Sequence, residues 1–177
     1  IAYDTLGRQL REYLPYPAQG STKNFINGAT TEVVNFYNTP AYDNTTNPYG
    51  EKRMEDSPLG RVMEQAAPGN DWQLLQSSDS DHTVKFSHHT NAARGVKLFK
   101  ANAVWNVTNQ VYTTSLVNAA GTTFYQPNLL FKTITKDENW SPVPAGSKIG
   151  TSEEFKNKKG QVVLTRRYDG TRPLDTY

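Results

Sequence analysis

The chain contains no cysteine. Disulfides, thiolate nucleophiles and cysteine-ligated zinc or iron–sulfur centres are therefore excluded together. Nor does it contain an apolar run near the roughly 18 residues that a membrane-spanning helix needs. A dominant charge sign is missing as well, since 19 basic residues face 17 acidic ones for a formal net charge of +2. Nucleic-acid and anionic-membrane surfaces call for concentrated Lys and Arg, and so even a balance argues against both. Hydrophobic residues make up only 36% of 177 positions, so any core is modest. No Gly-x-Ser-x-Gly, phosphate loop or dinucleotide fingerprint occurs, and the Ser, His and Asp residues show no triad spacing. Nothing points to a cofactor. The chain starts Ile1-Ala2-Tyr3-Asp4 and stops at Leu174-Asp175-Thr176-Tyr177. Natural domains tend to end in mobile polar residues. We therefore read an excised segment, with any targeting signal outside it.

What is present favours strands and turns. Thr and Asn are frequent, 10 prolines and 12 glycines are scattered through the chain, and there are 10 Tyr and 7 Phe, a mixture that suits pleated surfaces and tight bends. Several windows alternate with period two. Leu10, Glu12 and Leu14 oppose Gln9, Arg11 and Tyr13; Val34 and Phe36 oppose Val33, Asn35 and Tyr37; Val84 and Phe86 oppose Lys85 and Ser87. Val96 and Leu98 follow, and 111–116, 129–135 and 162–166 read as further strands, about ten in all. The one helix candidate is Arg61–Ala67, stopped by Pro68-Gly69. The expected fold is all-β, built of successive antiparallel β-hairpins with little or no helix. Segments 17–30, 38–56, 68–81 and 117–128 are expected to be surface loops.

The turns are the most informative feature. Asp4-Thr5-Leu6-Gly7, Asn47-Pro48-Tyr49-Gly50, Ser57-Pro58-Leu59-Gly60 and Asn157-Lys158-Lys159-Gly160 each place a short polar residue three before a glycine. Asp, Asn or Ser at the first position can accept a hydrogen bond from the backbone two residues on, and Gly takes the left-handed conformation that closes a hairpin with a bulge. Each glycine is followed by a long polar side chain: Arg8, Glu51, Arg61 or Gln161. Four such turns describe one recurring scaffold.

On these residues the chain resembles the Rhs/YD-repeat family, in which Tyr-Asp, two variable residues and Gly-Arg lead into an alternating strand. Tyr3-Asp4-Thr5-Leu6-Gly7-Arg8 carries the likeness first. It continues in Ser57-Pro58-Leu59-Gly60-Arg61, in the stretches 82–86 and 130–140, and in 151–164 with Phe155, Asn157 and Gly160. Repeat units lie near 3–16, 55–69, 153–166 and 168–177, the last beginning with Tyr168-Asp169. Only the first unit has both Tyr-Asp and Gly-Arg in place, and the spacing is irregular. The resemblance implies that 1–177 is a single β-rich segment of a large exported bacterial chain, secreted or at the cell surface. It further implies a β-sheet shell whose partners are the rest of that chain and an enclosed C-terminal effector or toxin. In such a wall Tyr3, Phe155 and Tyr168 would be rings at strand ends, Asp4 and Asn157 would pin loops, and Arg8 and Arg61 would stack on a ring or pair with a carboxylate of the next strand. The role the resemblance implies is structural and non-catalytic, with no enzyme activity expected.

Other chemistries have weaker support. His82, His88 and His89 are ordinary strand histidines by position. Asn70, Asp79, Ser80 and Asp81 lack the glycine and terminal acid of an EF-hand loop. Neither Glu153-Glu154 nor Asp137-Glu138 can itself be a glycosidase dyad, because strand neighbours point to opposite faces. The stretch 148–172 has seven Lys or Arg against three acids, as a solvated strand face would. Trp72, Trp105 and Trp140 support the alternative function, a carbohydrate-binding or adhesive surface module with glycan partners. A hydrolase ranks third.

Overall fold

The computed structural model describes residues 3–18, 25–75, 78–118 and 121–177. Ile1, Ala2 and the loop portions 19–24, 76–77 and 119–120 lie outside the described residues. The fold is antiparallel β with one short helix. The strands are β1 (Arg11–Tyr13), β2 (Tyr49–Met54), β3 (Val62–Ala66), β4 (Val84–Thr90), β5 (Phe99–Asn106), β6 (Val111–Asn118), β7 (Phe131–Lys136), β8 (Thr151–Lys156), β9 (Val162–Asp169) and β10 (Arg172–Thr176); the helix is α1 (Ala29–Tyr37). Two compact units alternate along the chain. The first comprises Ile1–Ser87, Thr135–Thr151 and Tyr168–Arg172, the second His88–Ile134, Ser152–Arg167 and Pro173–Tyr177.

In the first unit β1, β2, β3 and β4 pair in chain order, each antiparallel to the next. Arg53 stands opposite Glu64 and Glu64 opposite Lys85, so three charged residues form one row across three strands. The buried face of β3 and of the chain entering β4 carries Glu64, Ala66, Asp81, Thr83 and Lys85. Val84 and Phe86 lie on the less buried side, which reverses the ordinary polar-out alternation.

The second unit holds the apolar core. Val96, Leu130, Phe155 and Leu164 are 0–2% exposed, and Tyr125 and Val163 pack against them. Strands β7, β8, β9 and β10 are consecutive neighbours, and Phe155 faces Leu164 across the β8–β9 ladder. Buried Asn91 fastens the 126–130 loop over this core. Its side-chain amide donates to Gln126 O at 2.8 Å, and its Oδ1 accepts from the backbone N–H groups of Leu129 (3.0 Å) and Leu130 (2.8 Å). Strands β5 and β6 form a separate two-stranded ribbon with eight residues paired on each side.

Three readings of the sequence are corrected. Residues 33–37 are helical, not a strand. The Thr and Val content of α1 is poor for a helix, but Phe36 packs on Tyr16, Tyr37 and Tyr42 with ring centroids 5.0–6.4 Å apart, and only helical spacing offers both Phe36 and Val33 to the interior side. The helix candidate 61–67 is strand β3. Its edge is taken by β2 on one side and β4 on the other, and two ladders outweigh a weak local preference. Strand β2 occupies part of the expected loop 38–56, so Gly50 lies within a strand and not at a turn. Asn47 there is buried, donating to Gly69 O at 2.7 Å and accepting the Gly69 N–H at its own carbonyl, 3.2 Å.

The other three turns form as expected. Gly7, Gly60 and Gly160 have φ of 73°, 64° and 77°, a region where an L side chain costs roughly 1–2 kcal/mol. No atom blocks a Cβ at Gly7, and only the Arg8 Cδ lies within contact of one at Gly60, at 3.9 Å. The cost there is backbone strain alone. Gly7→Val and Gly60→Val should each lower the urea-unfolding free energy by more than about 1 kcal/mol. Gly50→Ala should stay within about 0.5 kcal/mol of the parent. Equal losses at all three would show that the left-handed conformation is not the source.

Candidate functional site

Two turns repeat one bonding scheme. At the first, Asp4 N–H donates to Arg8 O (3.0 Å), Gly7 N–H to Asp4 O (3.0 Å), and Arg8 N–H to the Asp4 carboxylate (2.8 Å). At the last, Asn157 N–H donates to Gln161 O (3.0 Å), Gly160 N–H to Asn157 O (2.9 Å), and Gln161 N–H to Asn157 Oδ1 (3.0 Å). The Ser57 turn shares the Gly60 N–H to Ser57 O bond at 3.3 Å, but Glu55 closes it, accepting the Arg61 N–H at 3.2 Å. In all three the long side chain after the glycine folds back on its own hairpin: Arg8 on Asp4, Arg61 on Glu55, and Asn157 donating to Gln161. Arg8 and Arg61 thus pair within their own turn, not with the carboxylate of a following strand. Arg8 does more. Its guanidinium also donates to the main-chain oxygens of Glu55 (3.1 Å) and Ser57 (3.3 Å), so one turn is bolted to the backbone of the next.

The second feature is a pair of charge rows, each centred on a buried glutamate. Glu64, 3% exposed, accepts from Arg53 Nε (2.8 Å), Lys85 Nζ (2.9 Å) and the Thr83 hydroxyl (2.6 Å). Lys85 Nζ also pairs with Asp81, whose other oxygen accepts the Leu75 N–H at 2.9 Å. Glu153, 4% exposed, meets Lys132 Nζ at 2.9 Å and Arg166 at 3.9 Å, and Arg166 reaches on to Asp175 at 2.6 Å. The Phe155 ring has Lys132 Nζ 5.4 Å and the Arg166 guanidinium carbon 5.9 Å from its centroid. The signs alternate along both rows: Glu64 faces Arg53 and Lys85 across its ladders and Glu153 faces Arg166, while buried Asp81 meets Lys85 within its own segment.

These contacts set the titration behaviour. Burial pushes the Asp81 carboxyl up, but the Lys85 and Thr83 hydrogen bonds, the Leu75 N–H and the Lys85 charge together hold it below the ordinary range. Burial pushes Lys85 down, and Asp81 and Glu64 more than restore it, to above the usual lysine value. The hydrogen bond from Arg61 holds Glu55 at about 2, against a weaker opposing effect of burial. The N–H of Arg8 lowers Asp4, and the Arg166 side chain lowers Asp175. Paired charges of this kind hold strands together.

The remaining predicted residues are dispersed. Tyr3 is 62% exposed and bridges Gln9 through its backbone. Phe155, next to last in β8, is buried in the core. Lys148 lies 4.4 Å from the Tyr168 ring centroid, and Asp169 ends β9 just before Gly170, whose φ is 62°. Trp72 meets His82 edge-on at 5.8 Å, Trp105 meets Tyr112 at 5.0 Å, and Lys136 covers the Trp140 ring at 3.4 Å. His82 Nδ1 lies 3.0 Å from Glu138 O. The four residues weighed for calcium do not converge. Asn70 binds Thr46, Ser80 binds Ser78, Asp81 binds Lys85, and Asp79 is largely exposed. Among the described residues no group of three His, Cys, Asp or Glu side chains could hold a metal ion. A cleft beside β1 and β2 has Arg11 and Glu51 in its wall, and these neutralise each other at 2.8 Å.

A family model described as a domain of unknown function, DUF6443, matches residues 1–88, ending one residue past the first segment of the first unit. No curated protein matches the chain, and no solved structure does.

The charge rows went unseen in the sequence. Partners such as Glu64 and Lys85 are 21 positions apart, and a charge on an alternating strand reads as solvent-facing. Glu64→Gln should cost about 3 kcal/mol on urea unfolding, the scale for breaking a buried pair. The lowered Asp81 contributes stability above the ordinary aspartate pKa, lost as pH falls through its own value. The raised Lys85 contributes below the ordinary lysine pKa, lost as pH rises through its own value. The parent should therefore be most stable around neutrality. In a carbon-detected NMR titration, Glu55 should titrate at about 2 and move toward the ordinary glutamate range in Arg61→Gln. An unmoved Glu55 would leave the Arg61 contact without energetic meaning.

Proposed function

We propose that this chain is a non-catalytic structural segment of an Rhs/YD-repeat shell that encapsulates or displays a toxin or effector on export, secreted or at the bacterial surface. Its partners are the remainder of the same chain and the enclosed C-terminal effector. The observation that carries the reading is the Arg8 bolt. A side chain fixed by its own turn's Asp4 grips two main-chain oxygens of the following turn. Main-chain oxygens are available at every repeat whatever the side chains, so the same contact can join hairpin to hairpin along a wall. The paired buried glutamates serve the same end by setting strand register.

The test uses the full parent chain. Arg8→Ala should leave the effector synthesised but exposed to added protease, with a severalfold faster loss of the C-terminal portion than in the parent. An effector equally sensitive in both, or equally protected after this segment is deleted, rejects the shell role.

A carbohydrate-binding or adhesive surface is the second reading. Its specific support is that the loops bearing Trp72 and Trp140 are joined through His82, which touches the Trp72 ring and the Glu138 carbonyl. Sugar-dependent tryptophan fluorescence, lost in Trp72→Ala, would favour it.

A further inference from the structure

We propose that the β5–β6 ribbon is a self-association surface whose occupant is the same ribbon of a second copy of this chain. The inference stands apart from the shell reading. All of β6 and the Lys100–Trp105 stretch of β5 are exposed, yet the ribbon carries Trp105, Tyr112 and Leu116 at 48%, 67% and 67% exposure. A two-stranded ribbon with bare faces is at best marginally stable in water. Its root is held in place. Phe99 packs edge-on against Tyr177 at 4.8 Å, and the Tyr177 hydroxyl accepts the Lys97 N–H at 3.1 Å. The ribbon therefore starts from a set position.

The register sorts its side chains into two unlike faces. Ala101 opposes Leu116, Ala103 opposes Thr114, and Trp105 opposes Tyr112; these six share one face, which bears no charge. The opposite face pairs Lys100 with Val117 and Asn102 with Ser115 and holds the ribbon's single charge. A charged partner would find nothing to pair with on the first face, whereas a second copy brings a surface equally free of charge and meets no repulsion.

The size pattern is also self-complementary. A two-fold axis at the Ala103–Thr114 level sets each copy's Trp105 over the other's Ala101, and each Tyr112 over the other's Leu116. Large meets small on one strand and ring meets aliphatic on the other, as closed isologous packing needs. Two facing ribbons of this length would remove about 1,000 Å² in total, the low end for a specific interface. The expected dimer is weak.

Sedimentation velocity of the intact chain from about 1 to 200 µM spans the range expected for so small an interface. The parent should pass from monomer to dimer. Leu116→Lys, and independently Thr114→Lys, should raise the dissociation constant at least about tenfold, while Val117→Lys on the other face leaves it unchanged. Circular dichroism should match the parent for all three. A monomer throughout the range overturns the proposal. So does equal weakening by Val117→Lys, which would mean edge pairing instead of face packing. A monomer whose Trp105 emission shifts with added sugar would overturn it too, by giving the face to a glycan.

Discussion

The fold depends on two carboxylates that water does not reach. Glu64 and Glu153 each sit on a middle strand with cations on both neighbouring strands. A buried carboxylate without a partner is among the most expensive groups a protein can hold. A one-residue slip of β3 against β4, or of β8 against β9, would move the glutamate to the other face and strand the cations. The rows therefore act less through their net contribution to stability than through the cost of every alternative register.

This device suits a chain with little apolar material. The core of Val96, Leu130, Phe155 and Leu164 is small, and it belongs to the second unit. The first unit relies on Glu64, Lys85 and the turn network to set its strands, with Val33, Pro48 and Ala66 as its buried apolar residues among those described. Paired charges and side-chain-to-backbone bonds do there what aliphatic packing does in richer domains. Tyr and Phe rings supplement them through the cluster around Phe36; in the second unit Lys132 and Arg166 lie beside the Phe155 ring.

Turns are bent by bonds spanning four or five residues, so local sequence was enough to place them. Asp4, Ser57 and Asn157 start the turns and Gly7, Gly60 and Gly160 close them, because side-chain oxygen and left-handed glycine act within a single bend. Asn47-Pro48-Tyr49-Gly50 has the same pattern but forms no glycine-closed turn, since Gly50 is paired within β2 and Asn47 is engaged by Gly69, 22 positions on. A local signal holds only until a distant partner takes the same atoms. Helix α1 illustrates the converse: its period-two pattern was real, and the aromatic cluster overrode it.

The sequence read locally settled the antiparallel β class, the absence of thiol chemistry and the three left-handed hairpin corners, all of which follow from residue content or from bonds between near neighbours. Tertiary structure alone decided which face of each strand is buried, that charges occupy it, and where Arg8 ends. Those outcomes turn on partners 11 to 49 positions distant, and the desolvation that makes such pairings compulsory exists only once the strands have closed over them.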